Sequence, residues 1–223
     1  QLFLATIALL VPSAVSGADS AQMAAFTQTL SLCLAILLIA TYGLGLLFSL
    51  RTHRELFGGA GHGEAEEAPW PMGVAVATLA AVTVLVALIS EVFVESVQEA
   101  ALAFGMAQAF VGFIVVALVG AAAEMASAFS AARKNRLDLS VGIALGSAAQ
   151  IALFVAPVLV LASYVIGPSP MNLQFWPGAV VMMLIATLTA SMVSNGGRAA
   201  WFSGVSLLVA YLIFAITLYL LPP

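Results

Sequence analysis

The chain has 223 residues, of which 63% are hydrophobic and only 7% charged, against roughly 25% charged in an ordinary soluble domain. So few charges cannot cover a water-exposed surface, and the lipid bilayer is the solvent this composition fits. A net charge of −4, with no basic stripe interleaved with aromatics, excludes nucleic acid as a partner. The single cysteine, Cys33, excludes an intrachain disulfide or a cysteine-based metal site.

In chain order, hydropathy predicts about seven transmembrane helices, over residues 2–16, 24–50, 72–96, 102–132, 139–166, 176–193 and 200–221. All but the first are near the ~20 residues that cross a hydrocarbon layer. The first run is short and has no basic residue before it, so it does not read as a signal peptide. The expectation is a truncated helix at the start of a fragment of a longer protein. The runs do not alternate polar and apolar residues as barrel strands do, which makes the fold class an all-α membrane protein. The pairs Gly142/Gly146 and Gly43/Gly45 suit close helix contact and are explained by packing alone.

The basic residues are placed with a strict alternation. Arg51 and Arg54 follow the second run, Arg133, Lys134 and Arg136 the fourth, and Arg198 the sixth; the other links have none. By the positive-inside rule these three links are cytoplasmic and the carboxyl terminus is outside. The acidic group Glu64, Glu66 and Glu67 beside His62 then reads as a solvated cytoplasmic loop, and His53 as an interfacial anchor.

Glu124 stands out because it interrupts the 102–132 run. A charge near the centre of a span costs on the order of 2.5–3.5 kcal/mol on insertion scales, so an intramembrane carboxylate points to an ion or proton site, or else to a structural hydrogen bond with a neighbouring helix. In the following run Ser147 and Gln150 are three apart, hence on one face; their oxygens suit a cation's shell and equally suit interhelical hydrogen bonds. Glu91, Glu95 and Glu99 repeat every fourth residue along the third run, a spacing that reads as an outer vestibule on the proton and cation path, with Glu91 deepest, or as a solvated helix end. Met106, Met125, Met182 and Met183 share no spacing with Cys or His and read as packing. No nucleophile, base and orienting group recur at a spacing that suggests an enzyme.

The stretch Val119-Gly120-Ala121-Ala122-Ala123-Glu124-Met125, with Arg133-Lys134-Asn135-Arg136 and then Gly142-Ile143-Ala144-Leu145-Gly146-Ser147-Ala148-Ala149-Gln150, resembles the second signature of calcium/proton exchangers. These belong to the cation/calcium exchanger superfamily. Leu50-Arg51-Thr52-His53, Ser90-Glu91 and Trp201-Phe202-Ser203-Gly204 extend the match in the family's order. The resemblance implies two inverted five-helix repeats, each giving one central glutamate to a shared cation site. Residues 1–50 then correspond to the end of the first repeat, 51–71 to an acidic link and 72–223 to the second repeat. The first repeat's glutamate must come from sequence in the same or another chain, and a homo-oligomer is a further possible partner.

The function this resemblance implies is secondary cation/proton antiport, with Ca²⁺ as cargo and no cofactor, at a site of Glu124, Ser147 and Gln150 approached past Glu91 and Glu95. It also implies a bacterial inner membrane. Ala121 stands where the family has Asn, Met125 where it has His, Ala148 where it has Ser, and Asn195 where Asp is common. Calcium takes about six to eight oxygens, so the thinner ligand set keeps open a monovalent cation/proton antiporter. A transport-inactive half or regulatory membrane component is the third reading.

Overall fold

The computed structural model describes residues 2–15, 21–52, 70–195 and 200–221. His53, Arg54, the acidic group near His62, Arg198 and the side chain of Asn195 lie outside the described residues. Among the described residues the regular structure is helical throughout, as expected where no water is at hand to satisfy backbone groups and each segment must bond internally. The helices are α1 (Leu2–Val15), α2 (Ala21–Leu47), α3 (Met72–Phe104), α4 (Gln108–Gly120), α5 (Ala122–Arg133), α6 (Leu137–Ser163), α7 (Pro177–Asn195) and α8 (Trp201–Tyr219).

Each of the seven predicted runs coincides with a helix or a helix pair. Among the described residues five helices are long and apolar enough to cross a bilayer, or six if the pair α4 and α5, bent by 55°, counts as one span. At 14 residues α1 falls short.

Two boundaries differ from the hydropathy reading. The third helix does not stop near Ser96 but runs on to Phe104, because Gln98 and Glu99 interrupt the apolar run without breaking the backbone. It ends at Gly105, whose φ of 62° is left-handed, with the Met106 N–H donating to the Ala101 carbonyl at 2.9 Å. Glycine adopts that conformation without the Cβ penalty other residues meet. The second difference is that the predicted fourth run is not continuous. It breaks at Ala121, where φ is −91° and ψ 8°.

The chain folds as two compact units, one drawn from residues 1–59 and 123–210, the other from 60–122 and 211–223. In the first, α1 packs on α2, α6 and α7, and α2 on α6. Its core gathers Ala5, Ala8, Leu9, Ala35, Leu38, Ala149, Leu153, Val160 and Leu173. Between α1 and α7 the buried hydroxyls of Thr6 and Thr187 lie 2.9 Å apart in a hydrogen bond. In the second unit, the Phe110 and Tyr219 rings meet edge to face at 5.3 Å.

One close approach constrains the link after α6. A Cβ added at Gly167 would come 2.8 Å from the Ser163 carbonyl oxygen, a backbone atom, whereas one added at Gly204 in α8 would meet nothing within 4 Å. Gly167→Ala is therefore expected to destabilise the protein by about 1–3 kcal/mol through overpacking. Gly204→Ala is expected to be neutral or to stabilise by up to about 1 kcal/mol through helix propensity. Thermal melts of the purified variants check the opposite signs.

Candidate ion site on a broken helix

Glu124 sits in the first turn of α5, three residues past the break at Ala121. Apolar sequence runs through the break, which is why hydropathy alone merges α4 and α5; together they are long and apolar enough to cross a bilayer. The position suits a carboxylate, since the first turn of a helix is the positive end of its dipole. The side chain is partly exposed, and among the described residues it makes no hydrogen bond or ion pair.

Ala121 occupies the break with a methyl group only, so the side chain there offers no oxygen. Met125, one residue past Glu124, is 46% exposed and offers a thioether.

Ser147 and Gln150 both lie on the regular α-helical part of α6, Leu137–Gln150, on one face as their spacing requires. Ser147 is partly exposed and Gln150 exposed. No hydrogen bond joins either to Glu124 among the described residues. All three belong to the first compact unit.

Immediately after Gln150, α6 widens into a π-helical turn, Ile151–Val155, with the Ala156 N–H donating to the Ile151 carbonyl five residues back. The cause is in the sequence. Pro157 has no N–H to offer the carbonyl of Leu153, and its ring crowds that oxygen, so the helix loosens there. Pro157 and Leu153 are fully buried, and Phe154 stacks against Tyr42 of α2 with ring centroids 5.4 Å apart. Single π turns of this kind recur at functional sites. This one directly follows the helical turn carrying Ser147 and Gln150.

Glu91 and Glu95 lie on α3 as predicted, exposed, and with Ala87, Ser90, Val94 and Gln98 they share one open face of that helix. Because α3 continues to Phe104, Glu91 sits well inside the helix rather than at its end. These residues belong to the second unit. Among the described residues no three His, Cys, Asp or Glu side chains cluster as a resident metal site would require.

Sequence reasoning found the carboxylate but missed the break and the π turn. The π turn had a signal, Pro157 within a long helix; the break had none, since apolar residues flank Ala121 on both sides.

Residues 74–220 match the family described as sodium/calcium exchanger protein. The Ca(2+)/H(+) antiporter ChaA of Bacillus subtilis (strain 168) is 42% identical over 224 residues, covering 99% of this chain and 62% of that protein. The Ca(2+)/H(+) antiporter of Aphanothece halophytica is 37% identical over 233 residues, covering 98% and 62%. The solved structure of native YfkE superposes with a TM-score of 0.80 at 38% identity, covering 99% of this chain and 61% of that one. The chain thus spans about three fifths of the length of the relatives it matches. With the family match running over well more than half of its residues and the same helical fold in a solved relative, this multi-pass membrane protein belongs to the sodium/calcium exchanger protein family.

Proposed function

We propose that the chain carries one half of the ion site of a calcium/proton antiporter of the bacterial inner membrane, with Glu124 taking Ca²⁺ and protons in turn. The observation that carries this reading is a carboxylate that has no hydrogen bond or ion pair among the described residues, in the first turn of a helix that begins inside an apolar run. Discontinuous membrane helices of this kind commonly form the ion sites of secondary transporters. The names of the relatives, both Ca(2+)/H(+) antiporters, support calcium as cargo.

Ca²⁺ and H⁺ compete for one carboxylate. A cation entering from one side displaces the proton, the site then opens to the other side, and a proton arriving there displaces the cation. Ser147, Gln150 and backbone carbonyls supply neutral oxygens, and Glu91 and Glu95 concentrate cations on the approach. A second glutamate, from sequence in the same or another chain, completes the charge that a divalent ion needs. The basic links Arg51 and Arg133 to Arg136 face the cytoplasm and the carboxyl terminus lies outside.

Monovalent cation/proton antiport is the second reading, favoured by Ala121, which leaves the break without a side-chain oxygen. Reconstitution into liposomes of the full-length protein that includes this chain separates the readings. A pH gradient is expected to drive ⁴⁵Ca²⁺ uptake that excess Na⁺ or K⁺ does not suppress. Uptake indifferent to the pH gradient overturns antiport, and suppression by Na⁺ or K⁺ selects the monovalent reading.

A further inference from the structure

Between α6 and α7 the chain runs without helix from Tyr164 to Trp176; within it Met171, Asn172 and Gln174 are exposed, Phe175 is partly buried and Leu173 alone enters the core of the first unit. Leu173 is 3% exposed and packs in the same cluster as Leu9, Leu38 and Leu153. Non-helical backbone inside a membrane protein must find its hydrogen bonds in the protein itself.

Here every second N–H finds a serine. Met171 donates to Ser163 Oγ at 2.8 Å, Leu173 to Ser31 Oγ at 3.0 Å and Phe175 to Ser13 Oγ at 2.8 Å. The three serines come from three helices, α6, α2 and α1. Ser163 and Ser13 each also donate back to their own helix, to the carbonyls of Val160 and Leu9, the dual role that only a hydroxyl allows. Gln28 of α2 adds a bond from its amide to the Met171 carbonyl at 3.1 Å, and the Gln174 N–H is taken by Asn172 Oδ1 at 3.1 Å.

Ser31 itself is fully buried.

We infer that residues 171–175 form a plug, clasped by Ser13, Ser31 and Ser163, that seals the bundle of α1, α2 and α6 against water at the end where α6 terminates. An apolar side chain, Leu173, fills the opening, and the serines hold the backbone that carries it. The three bonds tie the plug to three helices at once.

Thiol accessibility tests this in the full-length protein with Cys33, an exposed cysteine, replaced by alanine. Leu173→Cys is expected to react with a membrane-impermeant maleimide at least about tenfold more slowly than Ser169→Cys, which lies on the exposed part of the same link. Adding Ser13→Ala, Ser31→Ala and Ser163→Ala together should bring the two rates close. Equal rates before the serines are removed, or an unchanged Leu173→Cys rate after, overturn the plug. Should the variants fail to fold, hydrogen exchange on the unsubstituted protein decides. The amides of Met171, Leu173 and Phe175 should exchange at least about 100-fold more slowly than in an unstructured peptide, and exchange at the peptide rate overturns the proposal.

Discussion

Glu124→Gln is expected to reduce pH-gradient-driven Ca²⁺ uptake to the level of empty liposomes, a loss of at least about 100-fold, equivalent to more than 2.7 kcal/mol. The amide has nearly the same shape, so the first turn of α5 remains intact. What it lacks is the ability to gain and lose a proton and to carry the charge that draws a cation. Because the carboxylate has no hydrogen bond or ion pair among the described residues, its removal orphans no partner, and the melting temperature should hold. Glu124→Asp keeps the charge but withdraws it by one methylene, and should retain some uptake at a raised KM. Assays of uptake beside thermal melts separate loss of the site from loss of the fold.

Pro157→Ala is expected to move activity and stability in different directions. Alanine restores an N–H opposite the Leu153 carbonyl and removes the ring that crowds it, so the π turn Ile151–Val155 can tighten to an α-helical turn. Removing the π turn removes one residue from the wide loop of the helix. It rotates the segment bearing Ser147 and Gln150 by roughly 100° relative to the part that follows. Proline in a helix interior costs about 3 kcal/mol relative to alanine, while the ring it deletes is fully buried and leaves a small void. The two effects offset, so the melting temperature should stay level or rise. Transport should fall at least about tenfold, since misplaced ligands lose their geometry even when the fold survives. Uptake kept at the parental rate with an α-helical turn in its structure would show that the π turn does not position the site.

How far the sequence reveals this protein depends on whether a feature is local. Membrane residence, the helical class and the positions of most helices follow from composition and hydropathy, which act residue by residue. Glu124 was legible for the same reason: an apolar run makes one carboxylate conspicuous. The break at Ala121 was not, because the residues on both sides are as apolar as any span, and averaging over a window erases a single non-helical pair of dihedrals. The end of α3 was misread in the opposite sense. Gln98 and Glu99 look like a link, yet they continue the helix, and the true stop at Gly105 lies among apolar neighbours.

The serine clasp was beyond sequence reasoning altogether. Ser13, Ser31 and Ser163 are isolated hydroxyls in apolar runs, and two of them find their backbone partners 162 and 142 residues away. The pairing is created by the fold and has no sequence signature. Recognition of the exchanger signature succeeded because its residues cluster within about one helix-turn-helix of chain, from Val119 to Gln150.

The central claim is that Glu124 binds a proton and a cation in alternation, and carbodiimide labelling located by mass spectrometry tests it most directly. The reagent attacks the protonated carboxyl, so labelling of Glu124 is predicted to rise as the pH falls and to be suppressed by Ca²⁺ at fixed pH. Labelling of Glu124 that is indifferent to every cation offered would contradict the account and favour a transport-inactive component.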